Sequence, residues 1–255
     1  MSYSGAFDVG INQSGNLSAV LAAWADVPLN LLPIVRASTE SPTFLDELIG
    51  LGAGALKVHE DLGASPRVLE AALAAAERWD IQVALHADGL GESATLEETL
   101  AAIDGRAVHA YHVEGCGGGP VNLLEVVAHQ HILPSSTTPT VPYGENVLAE
   151  HEPMIRTVHR LSPLLPNDGR AAHGRIRAWT IAAESLLHDL GAISVMSSDS
   201  MGMGRVGEVT RRIWQLAHVM QRAAPAGGRD ANERTHPALP RQDHHQSRSG
   251  PRHRA

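Results

Sequence analysis

The sequence predicts an α/β protein built as an incomplete TIM-like (β/α)8 barrel, and three observations carry that expectation. Short apolar runs recur along the chain, helix-start signals lie between them, and most of the runs end in a residue able to bind a metal. Near-continuous apolar strands that alternate with helices imply a parallel sheet covered on both faces. Six such units make most of a barrel.

The runs are LNLLPIV (29–35), GALKVH (54–59), IQVALHA (81–87), AVHAYHVE (107–114), HILPSST (131–137) and GAISVMSSDS (191–200), all read as buried strands. Helices are expected from Pro42 after Ser41, from Pro66 after Ser65, and after Thr95, which forms a capping box with Glu98. Residues 138–180 form a long excursion between the fifth and sixth runs, with a Pro-rich start and the helical stretch EHEPMIRTVHRL. Insertions of that length at such a point are usually lids, so a flap is expected there. From residue 222 to 255 apolar periodicity stops. The barrel is therefore expected to occupy 1–221, and 222–255 to be a disordered tail.

Composition narrows the function. With 255 residues, 43% of them hydrophobic, the chain can bury one sizeable core. Its formal charge is -8, yet residues 222–255 hold seven Arg against three acids, which leaves the body near -12. An acidic body is a poor nucleic-acid binder. No run approaches the roughly 20 apolar residues of a membrane helix, so no membrane partner is expected. The single Cys116 excludes an internal disulfide framework, and the start MSYSGAFDVG has no signal-peptide pattern. A cytoplasmic protein is expected.

Nineteen of the 20 basic side chains are Arg, and Lys57 is the only lysine. Arg-rich codon usage accounts for the nineteen. Lys57, however, sits in ALKVHED at the end of a strand, beside a histidine and two carboxylates. A primary amine can take up carbon dioxide as a carbamate that bridges metals, which a guanidinium cannot do. Downstream, strand ends carry His59, His86 with Asp88, His109 with His112, and Asp199. A parallel barrel brings those ends to one mouth, and imidazole with carboxylate suits Ni, Zn or Fe rather than Mg or Ca.

The blocks KVHEDLG, VALHADGLGES, VHAYHVEGCGGG, ILPSSTTPTVPY, RIRAWTIAAESLLHDLGAISVMSSDS and MGRVGEV resemble, in order and spacing, successive blocks of the urease alpha subunit, a metal-dependent amidohydrolase. The resemblance runs from about residue 25 to 221. It implies a nickel-dependent urea amidohydrolase in which Lys57, carbamylated to N6-carboxylysine, bridges two nickel ions. His86 and His112 would bind one ion and Asp199 the other. His59 would hydrogen-bond the urea oxygen, and the Gly202 carbonyl would accept a bond from urea. His159 on the flap would be the catalytic acid, positioned by Arg175. Other urease subunits and nickel-loading accessory proteins would be partners.

The chain also departs from the family pattern. No His-x-His pair precedes Lys57, while His129 and His131 have that spacing but precede a late strand. The family's GGGHAPD reads GGGPVNL here, the flap cysteine is Val158, and Leu62 replaces a tryptophan. The first two barrel strands and the C-terminal region are expected to be missing. One nickel site then keeps its protein ligands and the other only Lys57 and Asp199. Three readings follow: urease-type hydrolysis, a truncated non-catalytic homologue that binds at most one metal or partner subunits, and a single-metal enzyme acting on a cyclic amide.

Overall fold

A computed structural model describes residues 5–8, 14–28, 30–59, 65–86, 95–114, 121–137, 140–198 and 205–223. Its first half alternates β1 (Gly5–Asp8), α1 (Ser14–Ala23), β2 (Leu31–Arg36), α2 (Pro42–Gly50), β3 (Ala55–His59), α3 (Pro66–Trp79), β4 (Gln82–His86), α4 (Leu96–Ile103) and β5 (Val108–Tyr111). A 3-10 helix, Val121–Ala128, leads to β6 (Ile132–Ser136). Three helices follow, α5 (Val147–Val158), α6 (Pro166–Gly174) and α7 (Ala178–Asp189), and then β7 (Val195–Met196) and α8 (Val206–Ala223).

The helix starts follow the local chemistry that the sequence carries. Ser41 and Ser65 accept the Phe44 and Val68 amides ahead of Pro42 and Pro66. Proline at the first helical turn costs no hydrogen bond, because that N–H has no intrahelical partner anyway. At α4 both arms of the capping box are present, with Thr95 N donating to Glu98 and Glu98 N donating to Thr95. Helices α3 and α4 end on Asp80 and Asp104 in the left-handed region.

The strands form one parallel sheet in the order β1-β2-β3-β4-β5-β6-β7, and among the described residues β1 and β7 are its open edges. An incomplete barrel is what results. At Gly54 a Cβ would lie 1.9 Å from Leu32 Cδ1, so a larger residue just ahead of β3 requires the half-exposed Leu32 side chain on β2 to move aside.

Strand alternation sorts the side chains. Leu56 and Val58, Val83 and Leu85, Val108 and Ala110 join Leu45, Leu48, Leu69 and Leu73 in the core between sheet and helices. Lys57 and His59, Ala84 and His86, His109 and Tyr111 therefore turn to the other face. Register stacks them in rows: Lys57 opposite Ala84 opposite His109, and His59 opposite His86 opposite Tyr111.

Two expectations need correction. The sequence reading starts the sheet at residues 29–35, but Gly5–Asp8 forms a strand paired in parallel with Leu31–Ile34, so seven strands are present rather than six. The expected strand over 191–200 is reduced to Val195 and Met196 among the described residues. Of the stretch read as a tail, Arg222 and Ala223 close α8, and 224–255 lie outside the described residues.

Candidate metal centre

The row alternation brings a cluster of imidazoles to the carboxyl ends of β3, β4 and β5. His59 and His86 stack with ring centroids 3.6 Å apart and planes 15° from parallel. His112, one residue past β5, meets His86 edge-on at 4.8 Å. A left-handed backbone at His112, with φ of 52°, is what takes that residue out of the strand alternation. Below them Lys57 is 3% exposed and holds its Nζ 4.0 Å over the Tyr111 ring, which in turn stacks on His109 at 4.1 Å.

Burial favours the neutral form of His86, His109 and His112. Burial, then the charges of His112, His59, Lys57 and Arg175, pushes His86 well below its usual pKa. Burial, then Lys57, His59, His109 and His159, does the same to His112. Burial and Lys57 lower His109 to about 4, where its Nε2 pairs with Ser135 Oγ at 2.9 Å. A neutral imidazole is the form that binds a metal.

The excursion reaches the same pocket. His159 caps the end of α5, and Arg175 caps the end of α6. Met154, Ile155 and Ala172 form a small core that joins the two helices. Arg175 Nη1 lies 3.2 Å from His159 Nε2. Arginine only donates, so Nε2 accepts and the imidazole proton sits on Nδ1.

The structure thus brings together Lys57, His59, His86 and His112, with His159 and Arg175 within electrostatic reach. Asp199 and Gly202 lie outside the described residues, as do Asp61 and Asp88. Among the described residues no three His, Cys, Asp or Glu side chains are set to hold a metal. The donors present are two neutral imidazoles and a buried amine that becomes an anionic ligand only as its carbamate. Among the described residues that set suits a single borderline cation. The sequence reading missed Tyr111, although its position two residues after His109 puts it on the inward face.

Residues 8–237 match the sequence model of the amidohydrolase family. The chain belongs to the amidohydrolase family. This amidohydrolase is 47% identical over 229 residues to urease subunit alpha 2 of Streptomyces coelicolor, covering 89% of the chain and 41% of that relative. To the urease subunit alpha of Ureaplasma parvum it is 52% identical over 183 residues, covering 71% of the chain and 30% of the relative. The chain spans less than half the length of these relatives. A crystal structure of 5-methylcytosine deaminase from Klebsiella pneumoniae superposes with a TM-score of 0.53 at 16% identity, covering 85% of this chain and 54% of that one. At that identity the likeness concerns the fold. No helix among the described residues is long and apolar enough to cross a membrane.

The buried imidazoles are expected to make the protein less stable in acid. His109 and His188 are both lowered to about 4 from 6.5, chiefly by burial. Between those pH values the unfolded chain binds more protons than the folded one, so stability falls as pH falls. The stabilisation is complete above about pH 6.5 and is lost progressively toward pH 4. Each pKa unit is worth about 1.4 kcal/mol, so guanidinium midpoints of the metal-free protein are expected to drop steeply between pH 7 and 4.5. A flat profile across that interval would contradict the buried neutral rings.

Proposed function

We propose that this amidohydrolase carries a urease-type site that binds nickel and hydrolyses urea to ammonia and carbamate. The observation that carries the reading is the meeting of Lys57, His59, His86 and His112 at the strand ends, with both proposed imidazole ligands neutral. His86, His112 and the carbamate of Lys57 would hold one nickel ion, and Asp199 would contribute to a second bound through the same carbamate. Nickel would supply there a Lewis acid and an activated water at neutral pH.

The side chains have separable tasks. His59, stacked on His86, would donate to the oxygen of a bound urea, and the Gly202 carbonyl would accept from its amide. His159 would pass a proton to the departing nitrogen from Nδ1 once its ring is doubly protonated, a form in which Nε2 no longer accepts from Arg175. Other urease subunits, and accessory proteins that load nickel, are the proposed partners, in the cytoplasm.

A second reading is favoured by the donor count, since among the described residues no three His, Cys, Asp or Glu side chains are set to hold a metal. In it the chain is a non-catalytic homologue that binds one metal or partner subunits. Ammonia release from urea by the nickel- and bicarbonate-treated protein separates the two. Release that disappears in His59→Ala and His159→Ala supports the hydrolase, and nickel bound without any release supports the non-catalytic homologue.

A further inference from the structure

Behind His112 lies a chain of hydrogen bonds whose polarity can be deduced. Glu114, fully buried, follows β5, and Thr137, fully buried, follows β6. Glu114 Oε1 accepts the Thr137 backbone N–H at 3.0 Å and the Thr137 hydroxyl at 3.2 Å. With its proton directed to Glu114, the Thr137 oxygen is left as an acceptor, and His112 Nδ1 lies 2.5 Å from it. His112 Nδ1 must then be the donor. Val113 N donates to Ser135 O at 3.2 Å and ties the two strand ends together beside this chain.

We infer that Glu114 and Thr137 are positioning residues that lock His112 as its Nδ1–H tautomer and leave the ligating lone pair on Nε2. The lock rests on the metal-centre reading for its purpose, but the tautomer exists without metal. An unconstrained imidazole prefers the Nε2–H form, which would set an N–H where a metal ligand is needed. Carboxylate or hydroxyl partners on the far ring nitrogen are how proteins fix the ligating tautomer, and their loss typically costs about 10–100-fold in metal affinity. Neither residue touches substrate in this account. Their action is through His112.

The test uses the full chain, metal-free for long-range 1H–15N NMR of the imidazoles and titrated with Ni2+ in bicarbonate buffer by calorimetry. The parent is expected to show His112 protonated on Nδ1 only. Thr137→Val is expected to shift His112 toward the Nε2–H form and to weaken nickel binding about 10–100-fold. Thr137→Ser, which restores the hydroxyl, and Glu114→Gln, which keeps an acceptor at the same place, are expected to retain the parent tautomer. A parent with Nε2–H at His112, or a Thr137→Val protein with parental tautomer and affinity, would overturn the lock. A parent with Nδ1–H that takes up no nickel would instead overturn the metal-centre reading and the purpose assigned to the lock. The NMR and calorimetric arms therefore tell the two failures apart.

Discussion

Lys57→Arg is expected to abolish nickel binding, although it conserves charge and hydrogen-bonding capacity. Lys57 is the only lysine in the chain and is 3% exposed. Its amine lies against the Tyr111 face rather than in water. Burial of this kind is costly for a cation, and conversion to a carbamate removes the positive charge and creates a metal ligand in one step. Arginine does neither, because the guanidinium stays protonated and has no lone pair to offer. It would also stand as a fixed positive charge beside His86 and His112, whose rings already feel Lys57. One like charge about 4 Å away costs on the order of 4 kcal/mol at an effective dielectric of 20, close to a thousandfold in affinity. Calorimetric titration with Ni2+ in bicarbonate, alongside circular dichroism to verify folding, measures it. Parental affinity in a folded Lys57→Arg protein would remove the lysine from the site. Asp199→Ala is expected to disturb this first ion much less.

The second large effect is on stability. Leu56 lies between two inward-facing positions of β3, is fully buried, and packs in the core shared by the sheet and helices. Truncation to Ala removes three carbons from a place where neighbours on both sides are fixed by strand register and helix caps. A cost of about 3–5 kcal/mol is expected, a large share of the 5–15 kcal/mol typical of a whole domain. Leu133, on β6 and 41% exposed, provides the contrast, because Leu133→Ala creates no sealed cavity. Guanidinium unfolding of both variants near pH 7.5 compares them. Equal losses would show that the alternation assigned to the strands is wrong.

Particular residues explain how much was legible beforehand. Ser41, Ser65 and the Thr95–Glu98 pair announce helices because a cap is a local transaction, completed within three residues of chain. The strands from β2 to β6 are legible because each is largely buried and carries a short apolar run. β1 is not: GAFD has four residues and no apolar run, and it is a strand only because Leu31–Ile34 offers it a partner. The same applies to β7, whose two residues exist as a strand through Ser135 and Ser136.

Within the site, strand ends point to Lys57, His59, His86 and His112, since chain order and a parallel barrel suffice to bring them together. The contact of His112 with Thr137 crosses 25 residues, and that of His159 with Arg175 crosses 16. No periodicity encodes either contact. Tyr111 lies between these cases, as its inward placement follows from alternation but its role beneath the Lys57 amine needs three dimensions.

We propose that the chain holds one metal through the carbamate of Lys57 with His86 and His112. Nickel stoichiometry by elemental analysis of the protein, after equilibration with Ni2+ and bicarbonate and removal of free metal, tests it most directly. About one tightly held ion per chain is expected, because three fixed ligands compete with water where one and a shared bridge do not. Two ions held equally tightly, or none at all, would contradict it.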